Sequence, residues 1–378
     1  MKIVIAPDSF KESLSALAVA EAIETGLRRV LPDAHIVKIP MADGGEGTVQ
    51  SLIDATQGTL HTTEVSDPLG KRVAAFFGVS GDQHTAIVEM AAASGLHWVD
   101  LDKRNPLKTS SYGTGELIQA ALNLGVKHII LGIGGSATND GGAGMLQALG
   151  AQFFNYHNQL ITEKISGGIL DQIARVDFSI IHQKFKGISV EVACDVNNPL
   201  CGERGASAIF APQKGATPDM VAILDKNLQH YAHIIQQNLN TDIATPAGSG
   251  AAGGMGGGLL TLPHVQLKSG VQIVLDTVCL AEHIADADFV ITGEGRMDAQ
   301  SIAGKTPIGV ARTAKQFGKP VIAIVGSLRT DYEVVYQHGI DAVFPIIRQL
   351  DTLPETLANA RENLISTAQN VAKLMTLA

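Results

Sequence analysis

Lys2-Ile3-Val4-Ile5-Ala6-Pro7-Asp8-Ser9-Phe10-Lys11-Glu12-Ser13 is the stretch whose reading decides the fold. Lys2 to Ala6 is a short, β-branched, uninterrupted apolar run, as in a strand buried on both faces of a parallel sheet. Pro7-Asp8 stops it. Beyond the polar loop, Val19, Ile23, Leu27 and Val30 recur at helical spacing, and Pro32-Asp33 ends that helix. His35 to Pro40 supplies the next strand. In a sheet of this kind ligands bind beyond the carboxyl ends of the strands, which is where the loop from Asp8 to Ser13 falls.

The same alternation returns in the C-terminal hundred residues. Strands are expected at 288–292, 320–325 and 342–345, with helices at 307–317 and 332–338. A final helix carries Leu357, Ala360, Leu364, Ala368, Val371 and Met375 on one face. The middle differs in texture. Leu60 to Glu89 reads as three strands separated by turns, followed by helices at 115–124 and 219–237 and strands at 127–131 and 190–193. The expected fold class is α/β: a discontinuous parallel-sheet domain, residues 1–60 and 286–378, with a second, mixed α/β domain of residues 61–285 inserted. A cleft between such domains is the expected ligand site.

The 378 residues exceed the size at which single cores usually split, in keeping with two domains. With 45% hydrophobic and 17% charged residues the chain has ample material for a core. Its net charge of −9, without a basic run, argues against nucleic acid but leaves room for a small anion met by a few local cations. Cys194, Cys201 and Cys279 form no CxxC pair and read as buried reduced thiols. The apolar start is too short for a signal segment and no stretch approaches 18 apolar residues, so a soluble, cytoplasmic protein without membrane partners is expected. The 40 glycines, against roughly 26 for an average chain of this length, gather in a few loops. Backbone approached closely by a ligand is one reading of such clusters.

Each loop offers chemistry beside a structural alternative. In Asp8 to Ser13, Lys11 suits a phosphate or carboxylate near a helix start, while Ser9 and Glu12 match a capping box. Asp43-Gly44-Gly45-Glu46-Gly47 either holds Mg²⁺ through Asp43 and Glu46 or caps a helix with the same pair. Gly132-Ile133-Gly134-Gly135-Ser136-Ala137 matches G-x-G-x-x-A, a weak dinucleotide signal on its own, and the expected ribose acid is missing. A phosphate-cradling turn with Ser136, Asn139 and Asp140 nearby is the preferred reading. Gly293 to Asp298 and Gly304-Lys305-Thr306 place Arg296, Asp298 and Lys305 after one strand. The spacing is too long, and the first position is Ala299, so a Walker A loop is rejected. Gly248 to Gly258, including Gly253 and Gly254, either cradles phosphates or packs tightly. Asp195, ending a strand before Asn197-Asn198-Pro199, is either a general base or metal ligand, or an Asx-turn residue. His230 and His233 lack a third ligand and read as a solvated helix face.

The ordered series Ile5 to Leu14, Ala42 to Thr48, Glu89 to Leu96, Lys103 to Leu107, Gly132 to Gly142, Phe210 to Ala216, Thr292 to Asp298 and Gly304 to Ala311 resembles the type I glycerate kinases of bacteria. The resemblance covers essentially the whole chain. It implies a Rossmann- or flavodoxin-like domain with a second α/β domain inserted, and transfer of the γ-phosphoryl group of ATP to D-glycerate with Mg²⁺. Glycolate, glyoxylate and sugar-acid metabolism, with 2-phosphoglycerate as product, is the implied setting.

As expectations, Lys11, Arg296 and Lys305 hold the acid or the moving phosphoryl group, with Asp8, Ser9 and Asp298 completing the substrate set. Asp195 accepts the hydroxyl proton. Gly134, Gly135, Ser136, Asn139, Gly253 and Gly254 hold nucleotide, and Asp43 and Glu46 hold Mg²⁺. A homodimer is compatible with the sequence, which does not set the oligomeric state. Two rivals remain: a nicotinamide-dependent oxidoreductase of small hydroxy acids, and a non-catalytic sensor of such acids.

Overall fold

A computed structural model describes residues 1–45 and 47–377. Glu46, one of the two expected metal ligands, and Ala378 lie outside the described residues. The chain divides into two compact units, residues 1–57 with 270–378, and residues 58–269. The return to the first unit thus falls at 270 rather than 286. The helices Gly270–Thr277 and Leu280–Ile284 belong with the first sheet, because Val271 packs against the helix Thr306–Gln316 there.

In the first unit five parallel strands lie in the order Ala342–Pro345, Val321–Val325, Phe289–Thr292, Lys2–Ile5, His35–Lys38. Counted along the chain this is the flavodoxin-like order 2-1-3-4-5. Ile3, Ile5, Ile291 and Ile324 form one core with the helices Ala16–Arg28 and Ala360–Met375. Val4 and Val290, turned to the opposite face by the two-residue period, are equally buried. The strand order reverses between Lys2–Ile5 and Phe289–Thr292, and such a reversal opens a crevice at the carboxyl ends of the two strands. Three strand-end segments lie side by side there: Asp8 N donates to Gly293 O at 2.9 Å, and Gly326 N to Glu294 O at 3.0 Å. A Cβ at position 326 would stand 2.2 Å from Gly295 O, so only glycine allows this approach.

The element pattern agrees with the periodicity, but the helix starts do not. The first helix is capped by Ser15, whose hydroxyl accepts from Ala18 N at 3.2 Å, and not by Ser9 with Glu12. Between them the chain makes an extra turn, in which the amides of Phe10 and Leu14 donate to each other's carbonyls at 2.9 Å. Likewise the helix Thr48–Thr56 starts from Gly47 at φ 90° without a side-chain cap, so Asp43 does not cap it. The expected last helix is two, Leu353–Ala358 and Ala360–Met375.

The second unit carries a six-stranded mixed sheet in the order Val265–Lys268, Ser189–Ala193, His128–Gly132, Thr85–Glu89, Arg72–Val79, Thr59–Ser66. The first four are parallel and the last two join antiparallel. The alternation of helices and strands therefore gives one wholly parallel and one mixed sheet. All three cysteines are free, but none is fully buried, contrary to expectation: Cys194 and Cys201 are half-buried and Cys279 is exposed. No described helix is long and apolar enough to cross a membrane.

Candidate active site

The crevice of the first unit is a cleft of about 730 Å³. One wall is charged, with Asp8, Lys11, Asp43, Glu294, Arg296 and Lys305; the other is apolar, with Ile346, Ile347, Leu353 and Leu357. Lys11 is exposed at the tip of the extra turn, next to Glu12 at φ 63°, an uncommon conformation for a non-glycine residue. Ser13 Oγ fastens that turn to Leu357 O at 2.8 Å. Lys305, in the same lining, precedes the helix Thr306–Gln316, whose first-turn amides favour anions.

The acids hold these parts in place. Asp8 Oδ1 accepts from Ser9 N at 2.6 Å, and Asp8 Oδ2 from Thr306 Oγ1 at 2.9 Å. Burial and the neighbouring Asp43 carboxylate push the Asp8 carboxyl up to about 6, against the lowering effect of those hydrogen bonds. The Lys11 ammonium offsets part of this repulsion, and two neighbouring carboxylates of this kind suit a hard divalent ion. Asp43 also receives the Gly45 amide at 3.1 Å. Glu294 is buried; it accepts from Ser301 Oγ, and its other oxygen lies 3.4 Å from Lys305 Nζ. Burial raises its pKa. Nothing in the sequence singled out Glu294 beyond its place after a strand.

Asp298 takes a different position from that expected. It is buried, receives Gln300 N at 2.9 Å, and forms a reciprocal cap with Ser301. Its Oδ2 is 3.7 Å from Arg296 Nε, so it steadies Arg296 from outside the cleft lining. Among the described residues no group of three or more His, Cys, Asp or Glu side chains is gathered as metal ligands.

In the second unit, the turn Gly134-Gly135-Ser136 follows the strand His128–Gly132, with both glycines exposed. Behind it lies Lys214, 1% exposed, which sequence reasoning passed over. Its Nζ donates to Ser136 Oγ and to Thr138 O, each at 2.7 Å. Burial pushes the Lys214 ammonium down to about 7, with Asp140 acting in the opposite sense. Asp140, fully buried, receives Ser111 N at 2.8 Å and Ser111 Oγ at 2.7 Å. Asn139 is also buried and donates to Ser207 Oγ at 3.0 Å.

Gly253 and Gly254 are buried too, in a left-handed break within the helix Ala251–Leu259. A Cβ on Gly253 would come within 2.0 Å of Thr138 O, at φ +69°. Tight packing against the 138–141 segment, rather than an open phosphate cradle, explains these glycines. Asp195 is exposed just beyond the strand Ser189–Ala193. His230 Nε2 lies 2.7 Å from Ile173 O, which accounts for it without a metal.

The chain is thus an α/β protein of two units, with charged groups gathered at the strand ends of the first. Residues 3–376 match the glycerate kinase family. The chain is 65% identical over 375 residues to a glycerate kinase of Haemophilus influenzae, covering 99% of each chain. It is 53% identical over 377 residues to a glycerate 2-kinase of Escherichia coli, covering 100% of this chain and 98% of that one. A crystal structure described as that of a glycerate kinase 2 from Salmonella typhimurium LT2 superimposes with a TM-score of 0.92 at 54% identity, covering 100% and 98%. The chain belongs to the glycerate kinase family and is a kinase.

Proposed function

We propose that the protein transfers the γ-phosphoryl group of ATP to D-glycerate in the presence of Mg²⁺, giving 2-phosphoglycerate and ADP, as a cytoplasmic enzyme of organic-acid metabolism. The observation that carries this reading is the cleft of the first unit, where Lys11, Arg296 and Lys305 converge on one wall with the opposed carboxylates Asp8 and Asp43. Phosphoryl transfer needs positioning and charge neutralisation more than covalent catalysis, and this wall supplies both signs of charge.

Lys11, Arg296 and Lys305 hold the glycerate carboxylate and the equatorial oxygens of the moving group. Asp8 and Asp43 fit Mg²⁺, which usually takes one or two carboxylates plus phosphate oxygens and neutralises developing charge; Glu46 stays a candidate third ligand. A glycerate hydroxyl oxygen attacks the γ-phosphorus, the bond to the β,γ-bridging oxygen breaks, and Asp195 is assigned the hydroxyl proton. In the second unit, Gly134, Gly135 and Ser136 are assigned to nucleotide phosphates. The 2-position is supported by the relative named glycerate 2-kinase.

Phosphorus NMR of a mixture of D-glycerate, ATP and Mg²⁺ tests the reading. A new phosphomonoester doublet, split by the single proton on C2, is expected together with ADP. A triplet would move the phosphate to the terminal hydroxyl, and unchanged ATP would refute kinase action on glycerate.

A further inference from the structure

Ser136 Oγ accepts a hydrogen bond from Lys214 Nζ at 2.7 Å. A hydroxyl has one proton to donate, and Lys214 in its protonated form can only donate. The Ser136 proton is therefore directed away from Lys214, and no acceptor for it occurs among the described residues. The neighbouring backbone is in the same condition: the amides of Gly134 and Gly135 make no hydrogen bond to described protein groups. The carbonyls of the turn are used, since Gly135 O receives Leu96 N at 2.9 Å, and Ala137 N is bound to Ser94 O at 2.9 Å. The turn is thus pinned through its other groups, while its two glycines are exposed and Ser136, 7% exposed, lies just beneath them.

Burying Lys214 carries the desolvation of a charge, which an apolar side chain filling the same space would avoid. It comes from the short helix Pro212–Lys214, far along the chain from the turn, and grips it at two points, Ser136 Oγ and Thr138 O. Thr138 Oγ1 and Asn139 Oδ1, in the same segment, are buried without partners. The lysine is therefore the side chain that fixes the Ser136 hydroxyl, beside the Thr109 Oγ1 bond to Ala137 O at 2.8 Å and the backbone bonds that hold the rest of the segment.

We propose that Lys214 is a positioning residue that orients the Ser136 hydroxyl and the Gly134 and Gly135 amides as a donor cradle for the phosphate chain of the nucleotide. The inference rests on the kinase reading above and assigns to it a residue that reaches the anion only through Ser136. The Lys214 ammonium also adds positive potential behind the cradle, where water does not screen it.

The test uses Ser136→Ala, Lys214→Met and the double variant in steady-state assays, with ATP varied at saturating D-glycerate and the reverse. Either single change is expected to raise KM for ATP about tenfold or more, which is about 1.4 kcal/mol, and to leave KM for D-glycerate unchanged. The double variant is expected to be no worse than the poorer single one, because both remove the same donor. Losses that multiply would show that Lys214 acts by another route. An ATP KM within about twofold of wild type in Ser136→Ala would overturn the cradle outright, and that variant decides the matter if Lys214→Met does not fold. Calorimetry with inorganic tripolyphosphate separates the cradle from the kinase reading. Wild-type binding that weakens at least about tenfold in Ser136→Ala supports the cradle even if glycerate proves not to be phosphorylated. No wild-type binding overturns the cradle even where turnover is intact.

Discussion

Replacing Asp8 by Asn should make the unliganded protein more stable at alkaline pH while impairing its chemistry. The Asp8 carboxyl is raised from an ordinary 3.8 to about 6, by burial and by Asp43. A raised carboxyl pKa means that the folded state holds its proton more tightly than the unfolded state. The associated stability is fully present below 3.8 and is lost as pH rises through about 6. Integrated over that interval, ionising Asp8 in the fold costs about 1 kcal/mol by pH 4.5 and about 3 kcal/mol by pH 8.

Asn carries no charge, so it escapes this cost. It keeps one acceptor oxygen and gives up one of the two hydrogen bonds, to Ser9 N or Thr306 Oγ1, a loss of about 1 kcal/mol. The variant should then match wild type near pH 4.5 and exceed it by about 2 kcal/mol at pH 8, or roughly 4–8 °C in Tm for a unit of this size. Thermal melts of both proteins across that range, followed by circular dichroism, measure the difference. Added Mg²⁺ should raise the wild-type Tm at pH 8 and leave that of the variant nearly unchanged, because the ion relieves the same repulsion. A stability difference that stays flat with pH, or a variant less stable than wild type at pH 8, would refute the electrostatic account of Asp8.

Three further outcomes follow from the contacts. Lys11→Ala removes an exposed side chain, so stability should change by less than about 0.5 kcal/mol, whereas kcat/KM should fall at least about tenfold; unchanged kcat/KM excludes Lys11 from the cleft chemistry. Asp195→Asn should lower kcat by about 10²–10⁴-fold with little change in either KM, as expected for loss of a general base, and near-normal turnover in a folded variant moves that role elsewhere. Gly253→Ala places a methyl 2.0 Å from Thr138 O at a positive φ. It should cost about 2–4 kcal/mol in urea unfolding, and a cost below about 1 kcal/mol would show that the break between 252 and 254 adapts.

What the sequence revealed and what it hid divide along the range of the interactions involved. Strand Lys2–Ile5, the helix positions Val19, Ile23 and Leu27, and the strand at Ala342–Pro345 declare themselves because their period lies within a few residues. The charged groups Lys11, Asp43, Arg296 and Lys305 were legible as site candidates for the same reason: each stands in a polar connection that follows a strand, and chain order alone puts such connections on one sheet edge. Helix caps failed, since S-x-x-E also fits a turn, and only backbone dihedrals tell Ser9 from Ser15. Asp298 misled because its position in the loop says nothing of the direction its carboxylate takes, here back onto Gln300 and Ser301.

Glu294 and Lys214 needed partners that no local pattern supplies. Ser136 and Lys214 are 78 positions apart, and the lysine lies in a short apolar-to-glycine segment that looks like an ordinary turn. Isolated in sequence, a lysine is read as surface. Its burial becomes intelligible only when the short helix Pro212–Lys214 folds against the turn after the strand His128–Gly132 and the ammonium finds a hydroxyl and a carbonyl at hydrogen-bonding distance. The loops that line the candidate cleft were thus readable, whereas the groups that hold those loops in shape were not, because a supporting contact is specified by the fold and leaves no periodicity behind.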